Sequence, residues 1–172
     1  AKTALFRSPA DFAPHDAAQL SGKPARVIFE GPLTRAGGLD LVVEALARLG
    51  SVTPELLVLA SGCREKRYLA WCQRRASETG LRLTIASASE RAAARDAYAS
   101  ATVVCAPYRD AIMSEPAHRA AAAGIPIVAT EVDTLLELGE DGVTGYIVPI
   151  DDILGLARRL ELLLRDEELR GD

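Results

Sequence analysis

Two segments, one rich in glycine and the other bounded by prolines, contain most of the residues whose chemistry suits an anionic ligand. The first, residues 30 to 38, contains Gly31, Gly37 and Gly38 together with Arg35. Glycine lets a backbone approach a ligand closely, and a guanidinium can balance a phosphate charge. The segment lacks the Gly-Lys-Ser/Thr ending of a P-loop and the Gly-x-Gly-x-x-Gly spacing of a dinucleotide site. A flexible turn with a solvent-exposed arginine therefore stays open as the alternative.

The second segment, residues 107 to 116, leads into an alanine-rich helical pattern. The free amides at the start of a helix favour an anion. Ser114 is either a hydroxyl that contacts a ligand or the N-cap of this helix. Glu115 is either a catalytic carboxylate or a first-turn acid that the helix dipole stabilises. His118 has no acidic or nucleophilic neighbour fixed by the sequence, which favours a surface or packing role.

Six short apolar runs lack the inside–outside alternation of a half-exposed strand, which is typical of strands covered on both faces. They lie at 27–29, 56–59, 81–85, 103–105, 125–129 and 146–148. Helical spacing between and after them predicts helices at 39–49, about 69–76, 87–98, 116–123 and 153–164. The third of these opens on Ser87 and Glu90, the spacing of a capping box.

Strand-then-helix steps of this kind require right-handed crossovers and a parallel sheet. We therefore predict a doubly wound α/β domain of about six strands with helices on both faces, preceded by a lead-in segment at residues 1–25. Ligands of such sheets bind at the carboxyl ends of the strands. The segment 30–38 and the start of the helix at Pro116 should face the same crevice.

Composition excludes several other functions. The chain has 172 residues, of which 20 are basic and 24 acidic, and a net charge of −4 gives no global attraction to nucleic acid. Cys63, Cys72 and Cys105 are an odd number without CxxC spacing, so the sequence suggests neither a disulfide framework nor a zinc site. No apolar run reaches the roughly 18 residues of a membrane span. We expect a cytoplasmic protein with no nucleic-acid partner and no transmembrane segment.

Three motifs follow one another in an order that is specific to one family. They are Gly31-x-Leu33-Thr34 with Gly38-Leu39-Asp40, Ala120-x-x-x-Gly124-Ile125-Pro126, and Glu137 with Asp141-Gly142-Val143-Thr144-Gly145. Over nearly the whole chain they resemble the C-terminal half of group 1 (family 4) retaining glycosyltransferases with the GT-B fold. The resemblance implies that residues 26–172 form a Rossmann-like domain whose donor substrate is a nucleoside-diphosphate sugar. It also implies a partner that the chain lacks, the N-terminal acceptor domain, through which membrane association is an alternative to a purely cytoplasmic location.

The resemblance also assigns candidate site residues, with no metal and no cofactor besides the donor sugar nucleotide. The candidate catalytic residue is Glu115. The candidate donor-binding residues are Gly31, Arg35, Gly37, Gly38, Ser114, Arg119 and Thr134.

Four polar positions of the family carry other residues here. The Arg and Lys that clamp the diphosphate in the family correspond to Pro32 and Gly37. The family's two glutamates, eight positions apart, correspond to Ala111 and Arg119. Arg35 and Glu115 are the candidate replacements for a lost cation and a lost carboxylate. Arg119 can donate hydrogen bonds to ribose hydroxyls but cannot accept them as a glutamate does.

Three functions stay open on these residues. The first is the donor-binding half of a glycosyltransferase, and the second is an inactive relative kept for binding or scaffolding. The third is a small flavodoxin-like binding or regulatory domain, although the acidic cluster and lysine of a receiver domain are not visible in the sequence.

Overall fold

Strands and helices alternate along the chain in the computed structural model, which describes residues 24–50, 52–112, 115–132 and 145–165. The strands are β1 (Arg26–Gly31), β2 (Glu55–Ala60), β3 (Arg82–Ser87), β4 (Val103–Ala106), β5 (Ile127–Thr130) and β6 (Gly145–Val148). The helices are α1 (Leu39–Leu46), α2 (Lys66–Glu78), α3 (Arg91–Ala99), α4 (Glu115–Ala123) and α5 (Ile153–Arg165). A short 3-10 turn, Arg35–Gly37, precedes α1. The predicted lead-in segment lies outside the described residues, apart from its last two.

All six strands are parallel and pair in the order β3-β2-β1-β4-β5-β6. The first strand lies between the second and the fourth, so that Val27 pairs with Leu56 on one side and with Val103 on the other. The strand order reverses at this point, which is where doubly wound sheets bind their ligands. The predicted Rossmann-like α/β fold is confirmed.

Burial explains why the strand sequences are continuously apolar. Every residue of β4 and β5 is buried, and so is every residue of β1 after Arg26. Helix α1 packs against α2 and α5 on one face of the sheet, and α3 packs against α4. Right-handed crossovers on the two sides of the switch point place α3 and α4 on the opposite face. The edge strand β3 has no fully buried residue, because only one neighbouring strand covers it.

Two predicted boundaries are wrong for identifiable reasons. Ser87 ends β3, where it pairs with Ala60, and its hydroxyl bonds that of Ser89 at 2.8 Å. It therefore caps no helix, and α3 begins at Arg91 without a side-chain cap. The fifth strand begins two residues later than predicted, because the Ile125 amide donates to a carbonyl of α4 and so completes the end of that helix.

The helix α5 offers a matched test of the core. The side chain of Leu160 is fully buried, whereas Leu154 on the same helix is 59% exposed. We expect Leu160→Ala to lower the free energy of unfolding by about 2–5 kcal/mol, because it removes buried methyl groups and leaves a cavity. Leu154→Ala should change it by no more than about 0.5 kcal/mol. Urea unfolding of the two variants checks this, and equal losses would contradict the packing of α5.

Candidate functional site

The loops that follow β1 and β4 are in direct backbone contact. The Arg109 amide donates to the Ala36 carbonyl at 2.9 Å. Gly38 has a positive φ of 76°, and a Cβ at this position would lie 2.2 Å from the Pro107 carbonyl oxygen. Only glycine fits there. The two segments that the sequence predicted to share one crevice therefore meet at the carboxyl ends of β1 and β4.

Close packing also accounts for the other two glycines of the first loop. A Cβ on Gly31 would lie 3.3 Å from the rings of both Phe29 and Tyr108. A Cβ on Gly37 would lie 2.2 Å from the Pro32 carbonyl oxygen. The lysine that the resemblance implies at the position of Gly37 does not fit this loop conformation. Ligand contacts by these glycines stay a prediction.

The side chain of Arg109 ties the first loop to two others. Each of its two terminal nitrogens donates a hydrogen bond to one oxygen of the Asp40 carboxylate, at 2.8 Å. It also donates to the Arg35 carbonyl at 2.7 Å and to Asp151 at 2.5 Å. These contacts, which we call the Arg109 clamp, join the β1–α1, β4–α4 and β6–α5 connections. Sequence reasoning missed the clamp, because Asp40 and Arg109 lie 69 residues apart and no local spacing links them.

Asp40 is held in its charged form by two neighbours. The Tyr68 hydroxyl donates to its carboxylate at 2.6 Å, in addition to the bonds from Arg109. Burial favours the neutral acid, but the hydrogen bonds from Arg109 and Tyr68 outweigh it and keep the pKa of Asp40 below its ordinary value of 3.8. Burial, reinforced by the carboxylate of Asp40, raises the pKa of Tyr68. The hydrogen bond to Asp40 raises the pKa of Arg109, so the clamp stays charged at neutral pH.

A second ion pair lies inside the crevice wall. The carboxylate of Glu30, at the end of β1, is almost completely buried and pairs with the guanidinium of Arg119 on α4. The Tyr98 hydroxyl donates to its other oxygen at 2.7 Å, and the Tyr108 hydroxyl donates to the Glu30 carbonyl at 2.5 Å. Burial opposes the charge on Arg119, but the bond to Glu30 outweighs it and raises the pKa of that arginine. Arg119, predicted to contact a ribose, thus also neutralises a buried acid.

Of the remaining candidate site residues, the structure describes some, and others lie outside the described residues. Arg35 is exposed on the 3-10 turn, with its amide 3.4 Å from the Glu65 carboxylate. Glu115 is the exposed first residue of α4, as a first-turn acid would be. Ser114 and Thr134 lie outside the described residues, as do Glu137 and the motif 141–144. The donor-binding and catalytic assignments of all these residues stay predictions.

The structure bears on two further sequence-based expectations. All three cysteines are free thiols, with Cys72 and Cys105 buried and Cys63 exposed. Within the described residues, no group of three or more histidine, cysteine, aspartate or glutamate side chains is placed to hold a metal ion. None of the described helices is long and apolar enough to cross a membrane.

A doubly wound sheet with two touching loops at its switch point, one of them rich in glycine, is the framework of nucleotide-binding α/β domains. Residues 24–166 match the family model of the group 1 glycosyl transferases, and the chain belongs to this family. It is 30% identical over 165 residues to a phosphatidyl-myo-inositol mannosyltransferase of Mycolicibacterium smegmatis. That match covers 91% of this chain and 41% of the relative, so the chain spans less than half the length of this relative.

Solved structures show the same fold at low sequence identity. The C-terminal domain of the group 1 glycosyl transferase LpcC from Francisella tularensis matches with a TM-score of 0.78 and 18% identity, over 96% of this chain and 91% of that domain. Sucrose-phosphate synthase from Thermosynechococcus elongatus matches with a TM-score of 0.79 and 24% identity, over 96% and 43%. Anabaena Alr3699/HepE in complex with UDP-glucose matches with a TM-score of 0.74 and 18% identity, over 96% and 46%.

The Arg109 clamp makes a prediction about pH. A carboxyl whose pKa is lowered by folding stabilises the protein above its unfolded pKa, and this contribution is lost as the pH falls through the folded pKa. We expect Arg109→Met to lower the free energy of unfolding by about 3 kcal/mol near neutral pH, because Asp40 stays buried without its cation. The difference from the wild type should shrink between about pH 6 and about pH 3, as Asp40 becomes protonated. Urea unfolding of the variant and the wild type at about pH 6 and about pH 3 measures this difference in stability.

The variant Asp40→Asn is the matched control for the clamp, since it keeps the shape of the side chain and removes its titration. The difference in stability between Asp40→Asn and the wild type should also shrink as the pH falls, because only the wild type loses the contribution of a charged Asp40. A loss in Arg109→Met that is equal at both pH values would show that the clamp does not stabilise the charge of Asp40.

The buried pair gives a separate prediction. Arg119→Met leaves the Glu30 carboxylate buried without its cation, which should lower the free energy of unfolding by about 3–5 kcal/mol. The double variant Glu30→Gln with Arg119→Met should recover part of this loss, because the buried charge is then gone. Arg158→Met, at an exposed position of α5, is the control. Thermal unfolding compares the variants, and a single variant as stable as its control would contradict a structural role for the pair.

Proposed function

We propose that this chain is the donor-binding half of a retaining glycosyltransferase that uses a nucleoside-diphosphate sugar. The main support for this proposal is the backbone contact between the loops after β1 and β4, at the switch point of the sheet. The chain also belongs to the group 1 family. The names of the related proteins support it, since one is a mannosyltransferase and another was solved with UDP-glucose bound.

The phosphates of such a donor would be held mainly by backbone amides. The family's two cationic positions carry Pro32 and Gly37, and neither supplies a charge. Arg35 is exposed beside them, and no described group bonds to its guanidinium. It is therefore our candidate for the cation that meets the leaving diphosphate. A group placed to meet charge that develops in the transition state is typically worth about 3 kcal/mol.

Catalysis also requires a second domain, whose wall closes the other side of the donor cleft. Closing a cleft excludes water and strengthens the interactions that stabilise developing charge. We propose that an N-terminal acceptor domain supplies this wall and binds the acceptor, with Glu115 as the candidate catalytic carboxylate on this side. A cytoplasmic location stays a prediction.

Two observations favour an inactive relative as the second candidate function. Arg119 is paired with Glu30 at the position of the family's ribose-binding glutamate. The Gly37 position has no room for the family's lysine. A domain kept for binding or scaffolding would tolerate both changes.

Nucleotide binding tests the proposed function. A thermal-shift series with UDP, GDP, UDP-glucose and GDP-mannose should show weak stabilisation by at least one compound, because backbone amides and one arginine hold the phosphates. A ligand present at 100 times its Kd adds about 2.7 kcal/mol of stability, which is readily seen. Arg35→Ala should abolish the shift, and the exposed-arginine control Arg158→Ala should keep it.

Two results would count against this assignment. No shift with any of the four compounds would favour the inactive relative. Tight binding that survives Arg35→Ala would show that the phosphates are held by other residues.

A further inference from the structure

A cavity of about 480 Å³ opens between the β1–α1 loop and the first turns of α2. Six described residues line it: Arg35, Asp40, Glu65, Arg67, Tyr68 and Trp71. Four of them come from the β2–α2 connection and the first turns of α2. Its volume lies within the range of small-molecule sites.

The lining combines one aromatic platform with planar polar groups. Trp71 is the single tryptophan of the chain, and 37% of it is exposed. Tyr68 lies behind it, buried, with its hydroxyl bonded to Asp40. No aliphatic side chain is part of the lining formed by the described residues. A ligand that fits must therefore present both a flat C–H surface and many hydrogen-bonding groups.

The polar groups at the rim provide both donors and an acceptor. Arg35 and Arg67 are exposed, and no described group forms an ion pair or hydrogen bond with either guanidinium. Glu65 is an exposed carboxylate in the same lining, and its one contact among the described groups is the long one to the Arg35 amide. Guanidiniums donate and carboxylates accept, whereas a sugar hydroxyl does both. Neighbouring hydroxyls can therefore bond to both kinds of group at once.

The charges argue against a strongly anionic ligand. The carboxylate of Asp40 is already neutralised by Arg109, so it contributes shape more than charge. Glu65 adds a negative charge to the same lining and would repel a phosphate placed beside it. A nucleobase could stack on Trp71, but its ring presents fewer hydroxyl-like groups to this rim.

We propose that this cavity binds a pyranose ring of a neutral saccharide, with the ring stacked on Trp71 and its hydroxyls bonded to Glu65 and Arg67. This cavity lies beside the candidate donor crevice and shares Arg35 with it, but saccharide binding there does not require the proposed function. Its wall is nevertheless continuous with that crevice, because Asp40 and the Arg35 carbonyl are both held by the Arg109 clamp.

Fluorescence of Trp71 reports on this site alone, since the chain has no other tryptophan. We would titrate the full chain with methyl α-glucopyranoside, methyl α-mannopyranoside, methyl α-galactopyranoside and maltose. At least one should give a saturable change with a Kd on the order of 1 mM, as a small solvent-exposed site allows. Uridine and inorganic phosphate are the comparison ligands.

Two variants test the assignment of the polar groups. Glu65→Gln and Arg67→Ala should each weaken the saccharide by about tenfold, the usual effect of losing a charged hydrogen bond. Arg74→Ala, an exposed arginine on the same helix outside the cavity lining, should leave the affinity unchanged. Circular dichroism melts of the variants confirm that each is folded.

Each other outcome overturns the proposal. No saturable change with any of the four glycosides excludes a saccharide site, and saturation by uridine or phosphate alone assigns the cavity to a different ligand. A change that survives both substitutions places the ligand elsewhere. Because Arg67→Ala leaves the donor loops intact, nucleotide shifts measured on the same variant show separately whether the proposed function holds.

Discussion

The arrangement of the crevice depends on the bidentate pair between Arg109 and Asp40. A planar guanidinium matches a carboxylate with two parallel hydrogen bonds, which fixes orientation as well as distance. Both side chains are mostly buried, and a third bond holds the 3-10 turn by its carbonyl. The positions of Arg35, of the start of α1 and of the β4–α4 loop therefore follow from one charged side chain. Lysine could not replace it, because a single ammonium cannot serve several acceptors in one plane.

The buried pair of Glu30 and Arg119 constrains how the site can change. The resemblance to the family implies a glutamate where this chain has Arg119, and a glutamate placed there alone would face the Glu30 carboxylate inside a low-dielectric wall. The energetic effect of each position therefore depends on the residue at the other. Recovering the family's residue needs a change at position 30 as well, in a strand whose neighbours Tyr98 and Tyr108 also bond to Glu30.

The fold was predictable because it rests on patterns that are local in sequence. Continuous apolar runs marked strands that helices cover on both faces, and helical spacing of apolar residues marked the helices between them. The errors fall where hydrogen bonding decides a boundary, as at Ser87, whose strand pairing outweighs its capping tendency. The first loop could be placed at the correct edge of the sheet, but its partners could not be identified. Asp40 with Arg109 and Glu30 with Arg119 are pairs separated by 69 and 89 residues, and nothing in their spacing indicates contact.

The Arg109 clamp also bears on the order in which the molecule assembles and opens. Its bonds close loops of 42, 69 and 74 residues, so the clamp can form only after β1, β4 and the turn before α5 have been brought together. Regions with partly exposed bonds and few apolar contacts open locally at a lower free energy than the core. The partly exposed bonds of the Arg109 clamp should therefore open at a lower free energy than the buried centre of the sheet.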